Sequence, residues 1–275
     1  MSTEDLKGTV LRFENVTVSF DGVQAIQDVS FEARPGQSHI ILGAAGSGKT
    51  VLLKVAMGLV KPTSGKVYVF GREISTLSEQ QLFEIRSKIG MLFQESALFD
   101  SLTIEENVAY PLLNQKSIQV PKDEVLPRVK QALEFVELGS TLEKFPDELS
   151  GGMRRRAAIA RAVVTEPALQ MYDSPTAGLD PITAYTIMAL LIKERDVSNA
   201  TTLLVTHRYQ DGNLMANFRY NSERRRLEPA RNGKQRSAQT VFLVMKEGRL
   251  TFEGDQDELE SSQDPYISKF YKHRN

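Results

Sequence analysis

The stretch HIILGAAGSGKTVLLKVA, residues 39–56, decides the fold. His39 to Leu42 form an apolar run too short for a helix, and a glycine-rich turn follows directly. Apolar residues then recur at Val51, Leu52, Val55, Ala56 and Leu59, the spacing of one helical face, until Lys61-Pro62 breaks the pattern. A buried strand, a tight loop and an amphipathic helix in that order open a parallel α/β core. The loop, GAAGSGKT at 43–50, has the G-x-x-x-x-G-K-T spacing. Its small residues, Gly43, Ala44, Ala45, Gly46, Ser47 and Gly48, let main-chain N–H groups wrap an anion at the positive end of the following helix. The pattern assigns Lys49 to the outer phosphates of a nucleotide and Thr50 to Mg²⁺.

Outward from this centre, Val10 to Phe20 and Val29 to Ala33 alternate apolar and polar residues, with Asp21-Gly22 as a turn between them. They predict an N-terminal antiparallel β subdomain. From Thr103 to Val164 the period is helical, with Val125, Val129, Leu133 and Val136 on one face and breaks at Pro121 and Pro146. An inserted α-helical subdomain is expected over about 95–164. The core resumes with a strand at Leu169 to Asp173, a helix after Asp180-Pro181 and a strand at Thr202 to Thr206. Alternation of strand and helix implies parallel pairing. Val241 to Met245 and Arg249 to Phe252 read as a hairpin through Glu247-Gly248, with a short helix after it. Between these parts, 221–239 is polar, with six basic and two acidic residues. It reads as a solvated surface insertion, with contact to anionic headgroups or an acidic partner as the alternative.

The chain has 275 residues, 41% hydrophobic and 25% charged, a net charge of -1 and no cysteine. That size carries a core domain with a smaller subdomain, and the balanced charge gives no global attraction to nucleic acid or to a membrane. A disulfide framework and thiolate metal sites are excluded. The N-terminus lacks the basic start and apolar middle of a secretory signal, and runs such as Ile187 to Ile192 fall far short of a membrane span. A cytosolic chain that reaches a membrane only through a partner is expected.

Two further segments carry chemistry. LSGGMRRRAAIARA, from Leu149, puts Ser150, Gly151 and Gly152 just before a helical run, a second place for an anion. One nucleotide needs one phosphate cradle, so a second hints that two chains share nucleotides. MYDSPTAGLD, 171–180, delivers Asp173 on an apolar strand and Asp180 before Pro181, where it can cap a helix. Together, the phosphate loop, LSGGM and PTAGLD resemble the nucleotide-binding subunit of ABC transporters over nearly the whole chain. The resemblance implies an α/β P-loop NTPase core that binds ATP and Mg²⁺ and works as a homodimer. It implies that Phe20 stacks on adenine, that Asp173 holds Mg²⁺ through water, and that Gln94 contacts Mg²⁺ and the attacking water. Ser150, Gly151 and Gly152 would grip the γ-phosphate bound by the other subunit, Asp180 would cross the dimer interface, and His207 would touch the γ-phosphate.

A narrower likeness lies in MLFQESALFDSLTIEENVAYPL at 91–112, ELSGGMRRRAAIARA at 148–162 and DPYISKF at 264–270. These segments resemble the ATPase of the MCE-linked phospholipid transporters of the maintenance-of-lipid-asymmetry (Mla) type. The likeness implies integral membrane permease subunits, an MCE-type lipid-binding protein, a place on the cytoplasmic face of the inner (plasma) membrane, and no nucleic-acid partner. Leu98, Phe99 and Leu102 are expected either to seat a permease coupling helix or to fill the helical subdomain's core. Soluble ABC proteins of DNA repair or the ribosome are the alternative class; one cassette without sustained heptads argues against them.

Ser174 departs from the family, which has a glutamate there to ready water for attack. A hydroxyl cannot accept a proton as a carboxylate does, and general-base help is worth about 10²–10⁴ in rate. Slow hydrolysis is expected, with water oriented by His207, Gln94 and Ser174. Glu95 swinging toward the water, or a scaffold that binds ATP and seldom hydrolyses it, are the other accounts.

Overall fold

The computed structural model describes residues 8–115, 117–230 and 239–272, and structural statements here concern those residues. Three short, almost wholly buried runs form the middle of the molecule: β3 (Ser38–Leu42), β7 (Leu169–Asp173) and β8 (Thr201–Thr206). With β6 (Ile89–Leu92), β11 (Thr240–Lys246) and β12 (Arg249–Gly254) they make a six-stranded sheet in the order β12-β11-β3-β8-β7-β6. Every pairing is parallel except that of the edge strand β12, which runs antiparallel to β11. Continuous apolar runs are what a sheet covered on both faces requires.

Alternate residues of each strand feed two cores. Ile40, Leu42, Tyr172, Leu204, Phe242 and Val244 face one, and Ile41, Met171, Leu203, Val205, Leu243 and Met245 face the other. The second core is closed by α1 (Lys49–Ala56), α2 (Glu79–Arg86) and an antiparallel sheet in the order β2-β1-β4-β5. That sheet comprises β1 (Leu11–Phe20), β2 (Val23–Ala33), β4 (Ser64–Val69) and β5 (Arg72–Glu73). The first core takes up α3 (Ile104–Asn114), α4 (Lys122–Phe135), α5 (Gly151–Val163), α6 (Pro181–Ser198) and α7 (Tyr209–Asn217). Val125, Val129, Leu133 and Val136 are buried there together, as their spacing requires. After β12 come two short helices rather than one, α8 (Gln256–Ser261) and α9 (Pro265–Lys272). None of the described helices is long and apolar enough to cross a membrane.

The polar segment at 221–239 is not a plain loop at its start. Phe218–Asn221 (β9) pairs antiparallel with Arg226–Pro229 (β10), and the hairpin packs on α6. Its anchor is Arg195, almost wholly buried, which donates to the carbonyls of Met215 and Phe218; Asp196 accepts from the N–H of Tyr220 at 2.7 Å. Residues 231–238 of that segment lie outside the described residues. The second strand also starts earlier than its apolar alternation suggests, at Val23, because pairing with β1 continues to the turn even where the side chains are exposed.

His39 is buried beside Phe31, and burial pushes its imidazole down to about 4, against the opposing pull of a hydrogen bond to the Glu32 main chain and of the Glu32 carboxylate. The unfolded chain therefore takes up a proton near pH 6.5 that the folded chain refuses until about 4. Stability is full above pH 6.5 and falls through that window, by about 3 kcal/mol in total from this group. Thermal melts from pH 7.5 to 4.5 should show a steeper decline for the parent protein than for His39→Phe; equal slopes would exclude His39 as the cause.

Candidate nucleotide-binding site

Parallel register sets the site before any side chain does. Leu42 lies beside Thr206, Asp173 beside Val205, and Leu92 beside Tyr172. The segments leaving these strands, with Gly43, His207, Ser174 and Gln94, therefore emerge at one carboxyl edge of the sheet, where open α/β folds place their ligands.

The loop at 43–50 is held from beneath. A Cβ on Gly43 would lie 2.4 Å from Ser47 Oγ and 2.6 Å from the Met245 carbonyl oxygen; on Gly48, at φ +99°, it would meet the Ala25 carbonyl oxygen at 2.5 Å. Only glycine fits either place. No side chain caps α1, and the N–H groups of Gly46, Gly48, Lys49 and Thr50 find no acceptor among the described residues. Unpaired donors at a helix N-terminus fit a phosphate. Ala44 is an exception, since its N–H donates to the hydroxyl of Tyr266 from α9 at 3.0 Å.

Lys49 is mostly buried and donates to the carbonyls of Gly43 at 2.8 Å and Ala44 at 2.7 Å, and to Ser47 Oγ at 3.2 Å. Burial lowers its pKa, and Asp173 opposes that shift. Thr50 Oγ1 donates to Asp173 Oδ2 at 2.8 Å, and Ser174 Oγ donates to Asp173 Oδ1 at 3.1 Å. A hydroxyl and a carboxylate at this separation are hard oxygen donors suited to Mg²⁺. Ser174 itself is buried with φ 49°, and its N–H donates to the Val205 carbonyl at 2.8 Å. Gln94 is exposed, and its carbonyl accepts from Arg155. His207 is exposed at the end of β8.

Behind His207 stands Asp211, which the sequence does not single out. It is almost wholly buried, and its Oδ2 accepts from Thr176 Oγ1 and Thr206 Oγ1, each at 2.7 Å. One carboxylate thus joins the segment after Asp173 to the last residue of the strand that His207 follows. Arg208 contacts the same carboxylate at 3.9 Å.

A second group lies elsewhere in the chain's fold. Ser150 caps α5, accepting from the Met153 N–H at 3.3 Å, and Asp180 caps α6, accepting from the N–H groups of Ile182 and Thr183 at 3.0 Å. A side-chain hydrogen bond with Thr183 is the leading cause holding the Asp180 carboxyl below its usual range. A Cβ on Gly152 would strike Thr183 Cγ2 at 2.7 Å, so the two helix starts are packed together. Gly151 is open to solvent there. Phe20, at the end of β1, is 48% exposed, a large price in water contact for an aromatic ring.

A family model described as ABC transporter matches residues 26–177. The methionine import ATP-binding protein MetN of Carboxydothermus hydrogenoformans is 40% identical over 197 residues, covering 70% of this chain and 58% of that protein. The probable ribonucleotide transport ATP-binding protein mkl of Mycobacterium leprae is 36% identical over 200 residues, covering 73% and 57%. The chain therefore spans less than two thirds of the length of these curated relatives. Among solved structures, a dimeric ATP-binding cassette in a post-hydrolysis state bound to ADP and Pi aligns with a TM-score of 0.73 at 29% identity, over 89% of this chain and 98% of that one. CbiO1 from Clostridium perfringens, part of the ABC transporter complex cbiONQ, aligns with a TM-score of 0.75 at 28% identity, over 92% and 90%.

Burial pushes the Asp211 carboxyl up, while the Thr206 and Thr176 hydroxyls, Arg208 and His207 pull it down. With its pKa raised, the folded chain binds this proton more readily than the unfolded chain, so the contribution to stability is full at low pH and lost as pH rises through the shifted value. Asp211→Asn keeps an acceptor for both threonines without the charge. It should melt no lower than the parent at pH 7.5 and lose that standing near pH 4; a lower melting point at pH 7.5 would show that the ionised form is favoured.

Proposed function

The chain belongs to the ABC transporter family, and we propose that it is the ATP-hydrolysing motor subunit of a membrane transporter, acting as a homodimer beneath integral permease subunits. The observation that carries this reading is the contact of Thr50 with Asp173 beside the Lys49 cradle. A phosphate loop and an acidic strand end meet there at hydrogen-bond distance. Mg²⁺, when bound, neutralises charge on the outer phosphates. Thr50 and Asp173 would hold it, Lys49 would turn from its own loop carbonyls to the phosphates, and the free N–H groups of Gly46, Gly48, Lys49 and Thr50 would take the remaining oxygens. Phe20 supplies an exposed ring for a base to stack on. Ser150, Gly151 and Gly152, packed beside Asp180, are offered to the nucleotide held by a second copy of the chain. His207 and Gln94 orient water at the sheet edge.

Between the strand edge and α3 lies a groove of about 970 Å³ lined by Phe83, Phe93, Phe99, Tyr110 and Arg161 among others. Phe99 lies tilted against Tyr110, ring centroids 4.6 Å apart, and faces this groove, whereas Leu98 packs into the helical core. The groove is where a permease segment would seat, which supports a peripheral position on a membrane. For the cargo, the likeness of 91–112 and 264–270 to Mla-type ATPases supports phospholipid, moved with an MCE-type partner. The relatives named for methionine import favour a second reading, a small polar solute. Affinity capture from solubilised membranes separates them: an MCE-type protein in the eluate supports lipid, and a solute-binding protein with its permease supports the other. Ribosomes or DNA retained in an ATP-dependent way would overturn both.

Ser174 limits the rate in this reading. A glutamate there would add a proton acceptor, and Ser174→Glu should raise turnover at saturating ATP by about 10²-fold while weakening ATP binding through repulsion next to Asp173. Steady-state phosphate release from the purified protein checks it. A parent enzyme already as fast as Ser174→Glu would sink the idea that the serine is limiting.

A further inference from the structure

The segment that carries Gln94 is not held by the strand it leaves. From Phe93 to Thr103 its main chain is tied to α5 and α3. Arg155 Nη1 donates to the carbonyls of Phe93 at 3.0 Å and of Gln94; Arg161 donates to Ala97 O at 2.8 Å through Nη1 and to Ser96 O at 2.9 Å through Nη2. On the far side Asn107, wholly buried on α3, donates to the carbonyls of Phe99, Leu102 and Thr103, each at 3.0 Å, and accepts from the Phe99 N–H at 2.8 Å.

The four carbonyls facing α5 include two on residues in the left-handed region, Ser96 at φ 65° and Ala97 at φ 48°. Two adjacent non-glycine residues there are conformationally costly. Charge-assisted hydrogen bonds to a guanidinium are the strong kind and offset that cost. Both guanidinium groups also give up water, since burial is the leading cause that lowers the pKa of each. Arg155 is 6% exposed and its Nε has no partner among the described residues; its Nη1 makes the two carbonyl contacts, and the Asp173 and Glu95 carboxylates favour its charge. Arg161 also lies over the Phe99 ring at 5.7 Å.

We propose that Arg155 and Arg161 are positioning residues that fix Gln94 to α5, so that the placement of Gln94 at the sheet edge that bears Asp173 follows the orientation of the helix whose first turn bears Ser150, Gly151 and Gly152. The two groups ride on one rigid element, with Arg155 roughly 7.5 Å along the axis from Ser150. Any shift of α5 when Ser150 meets a partner's nucleotide is passed to Gln94 through the carbonyls held by Nη1 of Arg155 and by the two Nη atoms of Arg161. The proposal rests on the ATPase reading above.

The test compares the parent protein with Arg155→Lys, which keeps the charge but ends its side chain one bond short of the Nη1 position that holds the two carbonyls. ATP affinity is read by fluorescent-nucleotide titration, turnover by phosphate release across a Mg²⁺ series, and main-chain protection by amide hydrogen exchange. Arg155→Lys should keep ATP affinity within about twofold, lose at least tenfold in kcat, need more Mg²⁺ for half-maximal rate, and exchange faster at 94–98 with β3 and α1 unchanged. Unchanged kcat and exchange in the folded variant, or an ATP affinity that falls in proportion to kcat, would overturn the proposal. If Arg155→Lys does not fold, Arg161→Lys, whose side chain is only half-buried, is held to the same outcomes. A parent protein without turnover would refute the ATPase reading alone, because the exchange result at 94–98 still decides the clamp.

Discussion

Parallel pairing of β3, β8 and β7 is the constraint on which the rest of the molecule depends. A sheet buried on both faces gives a ligand no access along its strands, so Asp173 and Thr206 lie where it can be reached, at the carboxyl ends. There the register is already fixed by main-chain hydrogen bonds. Thr50 reaches Asp173 because α1 starts where β3 ends and β7 stands two strands away, with β8 between them. Asp211 uses the same edge, drawing Thr176 and Thr206 onto one oxygen.

What the sequence makes legible follows from how local each signal is. GAAGSGKT is readable because one loop needs glycine at Gly43 and Gly48 for contacts within a few residues of the chain and with Met245 and Ala25 beneath it. The buried strands are readable because both faces demand apolar residues. The strands β4 and β5 and the helix α2 pass unnoticed, since half their side chains face water and each is short. The hairpin β9 and β10 is hidden for another reason: its composition is that of a loop, and it exists because Arg195 and Asp196, on another helix, satisfy its main chain. Pro111 and Pro127 lie inside α3 and α4, in helices whose neighbours hold them together. Arg155, Arg161 and Asp211 act through tertiary contacts alone, and no spacing in the sequence marks them.

The candidate site divides in the same way. Thr50, Asp173 and Ser174 are joined by hydrogen bonds within one chain, with Lys49 held to its own loop, whereas Ser150, Gly151, Gly152 and Asp180 are joined to one another by the packing of α5 on α6. Two separate groups, one built to hold an anion and the other with a capped helix start open to solvent at Gly151, suit a pair of chains facing each other more than one chain closing on itself.

Within the first group each polar side chain already has a partner. Lys49 is satisfied by its loop's carbonyls, Thr50 by Asp173, and Asp173 by two hydroxyls, one of them from Ser174. A buried carboxylate with two donors is well solvated by the protein, and a second carboxylate at 174 would replace a donor with a like charge. On the proposed ATPase reading the serine would do two opposite things. It would steady the residue proposed to hold Mg²⁺, which favours nucleotide binding, and it would withhold the proton acceptor that speeds hydrolysis. Because both effects would come from one hydroxyl 3.1 Å from Asp173, that reading couples affinity and turnover with opposite signs.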